Sequence, residues 1–357
     1  MKIIVVIPTL QKGGAERLVS VLTQEWIKNN KVKTVFFDGS NLAYSLSGDI
    51  INLNIPAAKG NLLKIIKLFN RSIKLAKLFK SENPDRIISF MESANFPSII
   101  AAYFTGKLNK LTVSNHSDPS FMLKFQRILL PYLYRYPKNI VAISDGASQA
   151  LINIGVKKTN LKIVNNPLPT TRPDINKFLL RPKNINFNYI LAVGRLDKQK
   201  GFDVLIEAFS NVSNLNLHLV ILGEGVERKN LIKIINDKGL SERVHLFGLV
   251  DDIWPWYRYA RCFVSSSLKE TWGNTIIEAM SQGCPVIAFD CDYGPREIIT
   301  NRINGLLVKI NDAEDLSIKI TDLISDKNLR NKLINNGLIR SSEFNAKFLS
   351  DKWLKDN

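Results

Sequence analysis

The stretch VSSSLKETWGNTIIEAMSQGCPVIAF, residues 264–289, decides the fold. It starts with the end of an apolar strand at Ser265 and closes with a second apolar strand at Val286–Phe289. Between them, Asn274 is placed to cap a helix that runs from Thr275 to about Gln282. A strand, a helix and another strand in so short a span predict a parallel sheet with a helical crossover.

Apolar runs of the same kind alternate with helical patterns along the whole chain. In the first half they lie at Ile3–Ile7, Lys33–Phe37, Arg86–Phe90, Leu111–Ser114, Ile140–Ile143 and Leu161–Val164. In the second half they lie at Tyr189–Val193, Leu217–Leu222, Val244–Phe247, Cys262–Ser265, Val286–Phe289 and Leu306–Val308. We therefore expect an α/β fold of two Rossmann-like, doubly wound domains.

Proline and polar residues between the two series mark the domain boundary. They fill residues 169–188, which we interpret as a linker region between a first domain at 1–168 and a second at 189–344. Residues 345–357 carry an apolar face and are predicted to form a final helix. Ligands of doubly wound sheets collect beyond the carboxyl ends of the strands, so a cleft between the two domains is the expected active site.

Composition excludes several classes of protein. With 357 residues, 45% hydrophobic and 23% charged, the chain is neither disordered nor fibrous. Its apolar stretches are shorter than the roughly 18 residues of a membrane span, and Pro8 ends the first one too early for a signal peptide. The three cysteines have no metal-site spacing, so we expect no disulfide framework, no zinc site and a cytoplasmic location.

The positive charge is concentrated in one half of the chain. The net charge is +17, of which residues 1–180 carry +15 and residues 181–357 carry +2. Such an asymmetry predicts that the first domain faces an anionic partner, with nucleic acid and membrane lipid as the candidates.

The loop between strand and helix in the opening stretch predicts an anion site. Glu270 precedes the helix, and Glu278 lies on it. Gly273 lets the backbone approach a ligand closely, and the N-terminal N–H groups of the helix are a positive end at which a phosphate binds.

Glu270 and Glu278, with seven residues between them, resemble the paired glutamates of glycosyltransferase family 4, a large retaining family with the two-domain GT-B fold. Other segments match that family in the same order along nearly the whole chain, namely GGAER at 13–17, GRLDKQKG at 194–201 and GEG at 223–225. Within the family, the chain is most similar to bacterial enzymes that build O-antigen, capsule or N-glycan precursors on polyprenyl diphosphate.

This resemblance implies a nucleotide-sugar donor. Arg195 and Lys200 would contact the diphosphate, Glu278 the ribose hydroxyls and Glu270 the hydroxyls of the donor sugar. The implied donor-binding set is Gly13, Gly14, Arg195, Lys200, Gly223, Gly273, Asn274, Thr275 and Glu278. The departing nucleoside diphosphate develops negative charge that fixed cations and N–H groups can stabilise, so no metal or other cofactor is expected.

Two short segments depart from the family pattern. Trp272 follows Glu270 where many relatives carry other residues, so we expect it to shape the sugar pocket differently. Asp290-Cys291-Asp292 superficially matches the metal motif of the other glycosyltransferase fold, but its late position favours a structural loop.

His116 is the histidine at a predicted strand end in the first domain. The resemblance implies that it is a donor or acceptor to the transferred sugar, and we place it in the catalytic set with Glu270, Arg195 and Lys200. Gly13-Gly14 also fits a tight turn alone, and the charges that follow fit the first turn of a helix.

Two basic, partly apolar segments lie in the first domain, at 62–80 and 121–138. The residues that we assign to membrane binding are Lys64, Lys67, Arg71, Lys74, Lys77, Lys124 and Arg127. Such a helix can insert its apolar face among lipids while each charge gains about 1 kcal/mol near anionic headgroups. The alternative is a helix packed on the core with a solvated lysine stripe.

The sequence therefore predicts a retaining glycosyltransferase on the inner face of the plasma membrane. It would move a hexose or N-acetylhexosamine, with N-acetylgalactosamine among the candidates, from a UDP-sugar to a saccharide on polyprenyl diphosphate. The alternatives are a nucleotide-sugar epimerase on the same fold and a noncatalytic protein that binds sugar nucleotides or nucleic acid. Nucleic acid is disfavoured as a partner, because the chain lacks zinc-finger spacing, an aromatic RNA-binding motif and a basic tail.

Overall fold

The computed structural model describes residues 1–10, 13–39, 46–58, 60–116, 122, 124–213 and 216–355, with the backbone alone at 61, 124 and 125. The strands are β1 (Lys2–Thr9), β2 (Lys31–Asp38), β3 (Asp49–Asn52), β4 (Arg86–Phe90), β5 (Leu111–Asn115), β6 (Asn139–Ala142), β7 (Leu161–Ile163), β8 (Asn188–Val193), β9 (Leu217–Leu222), β10 (Val244–Gly248), β11 (Cys262–Ser265), β12 (Val286–Phe289) and β13 (Leu306–Val308). The α-helices are α1 (Gly14–Trp26), α2 (Asn61–Glu82), α3 (Glu92–Phe104), α4 (Lys124–Leu133), α5 (Asp145–Asn153), α6 (Phe202–Ser210), α7 (Arg228–Asp237), α8 (Trp254–Tyr259), α9 (Asn274–Ser281), α10 (Pro295–Ile298), α11 (Ala313–Ser325), α12 (Lys327–Ser342) and α13 (Ala346–Leu354).

The chain divides into two compact units. Unit 1 comprises Met1–Thr170 and Ala346–Asn357, and unit 2 comprises Thr171–Asn345. The strands of unit 1 form a parallel sheet in the order β3-β2-β1-β4-β5-β6-β7. Those of unit 2 form a parallel sheet in the order β10-β9-β8-β11-β12-β13.

Both strand orders are doubly wound. In each sheet the chain begins in the middle, moves to one edge and then returns to the other side, so the direction of winding reverses beside the first strand. The reversal lies between β1 and β4 in unit 1 and between β8 and β11 in unit 2. Loops at the carboxyl ends of these two strand pairs are where such folds bind ligands.

The cores explain why the strands could be recognised. The strands β1, β8 and β12 are nearly continuous buried apolar runs, as expected when helices cover both faces of a parallel sheet. The predicted α/β class of two Rossmann-like sheets is confirmed, and each predicted strand is present within two residues at its ends.

The strand β3 was not predicted. It lies at the edge of the first sheet, contains only two apolar residues, Ile50 and Ile51, and is largely exposed. An edge strand with so little burial carries no apolar run that a sequence pattern could detect.

The predicted linker belongs mostly to unit 2. Arg258 donates hydrogen bonds to the carbonyl groups of Asp174, Ile175 and Lys177, and Tyr259 donates to that of Leu179. Residues 174–179 are thus held on unit 2 by side chains distant in sequence, which the composition of the segment could not reveal.

The final helix, α13, belongs to unit 1. Trp353 is buried in the core of that unit, its ring centroid is 5.1 Å from that of Phe90, and Trp26 donates its indole N–H to the Ser350 carbonyl. Phe348, on the same helix, is instead 56% exposed.

Candidate functional site

The loops that follow β8 and β11 bring Lys200 and Glu270 together in unit 2. Lys200 Nζ donates to Glu270 Oε2 at 2.5 Å, and both side chains are only 19% exposed. The Ser267 hydroxyl also donates to this carboxylate oxygen, at 3.3 Å. A cation and a carboxylate with polar support therefore stand where the winding of the second sheet reverses.

Backbone contacts lock these two loops to each other. The Ser266 hydroxyl donates to the Lys200 carbonyl at 2.8 Å, and the Leu268 N–H donates to the Gln199 carbonyl at 2.8 Å. At Gly201, whose φ is 57°, a Cβ atom would lie 2.3 Å from the Ser266 carbonyl oxygen. Only glycine therefore fits where the loop crosses its neighbour.

Gly223 has a packing reason of its own. A Cβ atom at this residue would lie 1.8 Å from the Gly194 carbonyl oxygen, and its φ is 144°. The loop after β9 thereby supports the loop after β8, because the Leu196 N–H also donates to the Glu224 carbonyl. This contact accounts for the glycine without a ligand, so its donor-binding role stays a prediction.

Helix α9 begins four residues after Glu270. Gly273 is its N-cap residue with φ 112°, and no side chain caps this helix end. The prediction that Asn274 is the capping residue is wrong, because the chain turns at Gly273 and Asn274 is already the first helical residue. Gly273, Asn274 and Thr275 nevertheless form the positive end of the helix dipole.

Glu278 is buried on α9, with 2% of its surface exposed, and accepts a hydrogen bond from the Tyr257 hydroxyl at 3.1 Å. Burying a carboxylate without hydrogen bonds is costly, so Tyr257 supports its charge. Tyr257 was missed in the sequence, since nothing local marks a partner 21 residues away.

Arg195 is the exposed cation of the site. Its side chain is 76% exposed, and Nη2 lies 3.2 Å from Asp197 Oδ2. A solvent-exposed pair of this kind holds the guanidinium weakly, which leaves it able to reach an anion.

The two segments that depart from the family pattern both make contacts within unit 2. Trp272 is 3% exposed and makes an edge-to-face contact with Phe344, so the expectation that it shapes a sugar pocket finds no support in its burial. Asp290 accepts a hydrogen bond from Arg296 Nε at 3.0 Å, so this carboxylate of the acidic segment forms an ion pair with a nearby arginine.

In unit 1, the turn after β1 is occupied by the chain's own carboxylate. A Cβ atom at Gly13 would lie 2.2 Å from Glu16 Oε2, and the Thr9 hydroxyl donates to Glu16 Oε1 at 3.3 Å. Burial raises the pKa of Glu16. Glu16 is therefore not a solvated first-turn charge, and Gly14 is exposed.

His116 follows β5 directly and is partly buried. Its Nε2 lies 2.8 Å from the Ser114 hydroxyl, and its ring stacks on Phe90 with centroids 5.7 Å apart. Burial lowers the pKa of His116 to about 4, so the ring is neutral at neutral pH. A neutral imidazole can exchange hydrogen bonds with a sugar hydroxyl but does not supply a positive charge to a diphosphate.

Glu92 is a site residue that the sequence interpretation missed. It is the first residue of α3, directly after β4 and Met91, and it is buried. Burial raises its pKa to about 7. A glutamate that closely follows an apolar strand was a usable signal, because strand ends in this fold point to ligands.

On helix α2, three of the cations that we assigned to membrane binding contact the protein itself. Lys67 Nζ donates to the Pro56 carbonyl at 2.6 Å, Arg71 Nη2 to that of Ile55 at 2.8 Å and Lys74 Nζ to that of Leu53 at 2.9 Å. These three cations bind the chain's own backbone. Lys64 and Lys77 are exposed.

The exposed face of α2 is apolar. The side chains with 52% to 72% of their surface exposed are Leu62, Leu63, Ile65, Ile66, Phe69 and Ile73. Leu75 and Phe79 on the same helix are fully buried, and Lys64, Lys74, Lys77 and Lys80 are exposed, so the membrane surface and the core helix with solvated lysines both stay predictions. In the second basic segment, Phe121 and the side chain of Lys124 lie outside the described residues, and Arg127 on α4 is exposed.

Three further observations concern metal sites, membrane-spanning helices and the cysteines. Within them, no group of three or more His, Cys, Asp or Glu side chains is arranged to bind a metal ion. In the same portion of the chain, no helix combines the length and apolarity needed to cross a bilayer. The three cysteines are free and buried.

Solved structures define the class of fold. HepE from Anabaena, crystallised with UDP and glucose, superposes with a TM-score of 0.82 at 20% identity, covering 99% of this chain and 98% of that one. The lipopolysaccharide outer core galactosyltransferase WaaB gives 0.77 at 20% identity, covering 99% and 98%. The two parallel sheets are those of the GT-B fold, as predicted.

Family models divide the chain in two. The Glycosyltransferase Family 4 model matches residues 12–172, and the Glycosyl transferases group 1 model matches residues 177–340. The chain therefore belongs to the glycosyltransferases that combine a Glycosyltransferase Family 4 domain with a Glycosyl transferases group 1 domain.

Two relatives align with nearly the whole chain. A Campylobacter jejuni protein named N-acetylgalactosamine-N,N'-diacetylbacillosaminyl-diphospho-undecaprenol 4-alpha-N-acetylgalactosaminyltransferase is 27% identical, over 96% of this chain and 95% of that protein. The amylovoran biosynthesis glycosyltransferase AmsD of Erwinia amylovora is 24% identical, over 96% and 95%.

Proposed function

We propose that the protein is a retaining glycosyltransferase that moves an N-acetylhexosamine or hexose from a UDP-sugar to a saccharide linked to polyprenyl diphosphate. The Lys200–Glu270 pair beside the N-terminus of α9 is the observation that carries this proposal. The name of the Campylobacter relative specifies transfer of N-acetylgalactosamine in an alpha linkage. UDP-N-acetylgalactosamine is therefore the first donor to test.

The pair has a simple role in donor binding. Without a ligand, Lys200 and Glu270 neutralise each other at 2.5 Å. A diphosphate would compete for Lys200, and the carboxylate would become available to accept hydrogen bonds from hydroxyls of the sugar. Lys200, Arg195 and the N-terminus of α9 would then stabilise the charge that develops on the departing UDP, without a metal ion.

Transfer of radiolabelled UDP-sugars to polyprenyl diphosphate saccharides tests the assignment. We expect Glu270→Gln to lower transfer by about tenfold or more, because a neutral amide oxygen is a weaker acceptor for sugar hydroxyls than a carboxylate. Lys200→Met should lower kcat by about 10²- to 10³-fold, the usual effect of removing one fixed charge-stabilising donor. Glu207→Gln and Lys238→Met are matched controls, because these residues form a partly exposed ion pair of unit 2 that includes neither Lys200 nor Glu270. EDTA should leave the rate unchanged.

The outcomes separate the competing functions. Near-normal turnover by Glu270→Gln would remove this residue from the donor site. Isomerisation of the UDP-sugar in the absence of acceptor would instead identify an epimerase. Binding of UDP with neither reaction would favour a noncatalytic protein.

We further propose that the protein works as a peripheral protein on the inner face of the plasma membrane. The exposed apolar residues of α2 would insert among lipids, and the neighbouring lysines would approach anionic headgroups. Full burial of one such side chain contributes about 1.5–3 kcal/mol, so several together suffice for reversible binding.

Sedimentation with vesicles of phosphatidylglycerol and phosphatidylcholine tests this surface. The combined change Leu62→Ser, Ile66→Ser and Phe69→Ser should weaken binding strongly. Its control is Val226→Ser, Ile318→Ser and Ile339→Ser, which removes three exposed apolar side chains from unit 2. Equal binding by both triple variants would reject α2 as the membrane contact.

A further inference from the structure

A buried polar network joins α3 to the end of β5 in unit 1. Glu92 Oε1 accepts a hydrogen bond from Asn115 Nδ2 at 2.5 Å. Asn95 Nδ2 donates to the Ser114 carbonyl at 2.9 Å and to the Tyr134 hydroxyl at 2.8 Å. The first turn of α3 therefore holds the last two residues of β5 by their side chain and backbone.

Asn115 depends on Glu92 for its orientation. Asn115 is completely buried, and among the described residues its Oδ1 atom has no hydrogen-bond partner. The bond to Glu92 is thus the polar contact that fixes the side-chain amide. Loss of this contact would leave a buried amide unsatisfied at both ends, which favours a rearrangement of the strand end.

The turn before Glu92 is strained. Met91 has φ 71° and ψ 148°, a conformation that residues with a side chain rarely adopt. Its N–H donates to the Ser114 carbonyl at 3.1 Å, which ties the strained residue to the same strand end. Strain of this kind persists where the surrounding contacts fix the backbone, and it is concentrated at functional sites.

His116 is the next residue after Asn115. Its Nε2 contacts the Ser114 hydroxyl, and its ring lies on Phe90, the last residue of β4. Ser114 lies at the end of β5 and Phe90 at the end of β4. The hydrogen bonds of Met91 and Glu92 connect these same two strand ends.

We propose that Glu92 is a positioning residue for His116. By holding Asn115, Glu92 fixes the end of β5 and with it the orientation of the imidazole. The carboxylate acts through Asn115 rather than by touching substrate. Only the kinetic consequence of this inference rests on the proposed transferase function, because the orientation of His116 can be measured without a substrate.

Histidine NMR provides that measurement. The chain has three histidines, and His218 and His245 are in unit 2, where they serve as internal references. We expect Glu92→Ala to shift the ring ¹⁵N and ¹³C signals of His116 while those of the other two stay in place. Glu92→Gln retains an oxygen that can accept from Asn115, so it should restore the wild-type signals.

Kinetics give a second readout of positioning. In the transfer assay, Glu92→Ala should lower kcat by about tenfold or more, since small misplacements of a reacting group are costly, while KM for the UDP-sugar stays unchanged. Glu92→Gln should recover most of kcat. A smaller folded fraction would also lower the apparent kcat at constant KM, so the rates are compared per mole of folded protein, measured by circular dichroism on the same samples.

Asn115→Leu removes the donor from the other side and tests the same contact. It should shift His116 as Glu92→Ala does. Unchanged His116 signals in either folded variant, or a Glu92→Gln protein as perturbed as Glu92→Ala, would overturn the proposal. So would unfolding of both Glu92→Ala and Asn115→Leu, because the network would then be required for folding. If the wild type transfers no sugar, the proposed function fails and the NMR result still decides the role of Glu92.

Discussion

At the scale of single residues, Glu92 makes the stability of the protein depend on pH. Its pKa of about 7 in the folded protein exceeds the ordinary value of 4.5. The folded state therefore binds more protons between these values, and stability is lost as the pH rises through 7. We expect Glu92→Gln to raise Tm near pH 8.5 and to leave it unchanged near pH 4.5, with a full effect of about 3 kcal/mol.

Thermal unfolding followed by circular dichroism at the two pH values checks this. The control is Glu207→Gln, at a partly exposed carboxylate on α6, which should shift Tm similarly at both pH values. A Glu92→Gln protein whose gain in stability is the same at both pH values would contradict a raised pKa in the folded state.

The sequence predicted residue types at strand ends better than it predicted their surroundings. Lys200 and Glu270 were both named, but their direct contact joins residues 70 positions apart and needed the folded loops. Glu16 and Glu92 were not recognised as buried, because charged residues are rarely inside. Trp272 was placed at a sugar pocket, although its burial against Phe344 depends on a helix end far along the chain.

At the scale of elements, the loops after β8 and β11 should tolerate no side chain where they cross. Gly201 and Gly239 have similar left-handed φ values, 57° and 66°, but a Cβ atom at Gly239 meets nothing within 4 Å. We expect Gly239→Ala to cost about 1–2 kcal/mol from its backbone conformation alone. Gly201→Ala should cost clearly more, because it also forces the Ser266 carbonyl away.

Urea unfolding and calorimetric titration with UDP measure the two effects. Gly201→Ala should weaken UDP binding as well as stability, since the displaced loop carries Lys200, whereas Gly239→Ala should bind UDP normally. Equal losses of stability in the two variants would show that the crossing can relax around a methyl group.

Helix α2 shows why a pattern of charges does not give orientation. The residue pattern predicts a helix in which apolar and basic residues alternate, and either face could be directed outward. The orientation of the helix is set by the carbonyl groups of residues 53, 55 and 56, which accept hydrogen bonds from Lys74, Arg71 and Lys67. That segment follows β3, the strand that the sequence pattern did not reveal, so the orientation of the helix could not be predicted without it.

At the scale of the whole molecule, the two units have separate cores and very different charges. The core of unit 1 is built around β1 and includes Trp353 from the far end of the chain, whereas the core of unit 2 contains no residue of α13. Nearly all the excess positive charge lies in residues 1–180. The final helix therefore links the stability of the basic unit to the last residues of the chain.

Removing Trp353 should destabilise one unit and spare the other. Trp353→Ala takes a fully buried ring away from Phe90, so we expect a loss of about 3–5 kcal/mol in unit 1. Phe348→Ala, on the same helix but 56% exposed, should stay within about 1 kcal/mol of wild type, including its contact with Lys352. Hydrogen–deuterium exchange with mass spectrometry should show faster exchange in β1 and β4 and unchanged exchange in β8 and β11. Faster exchange in both sheets would instead show that the two units unfold together, and no change in either would place α13 outside the core of unit 1.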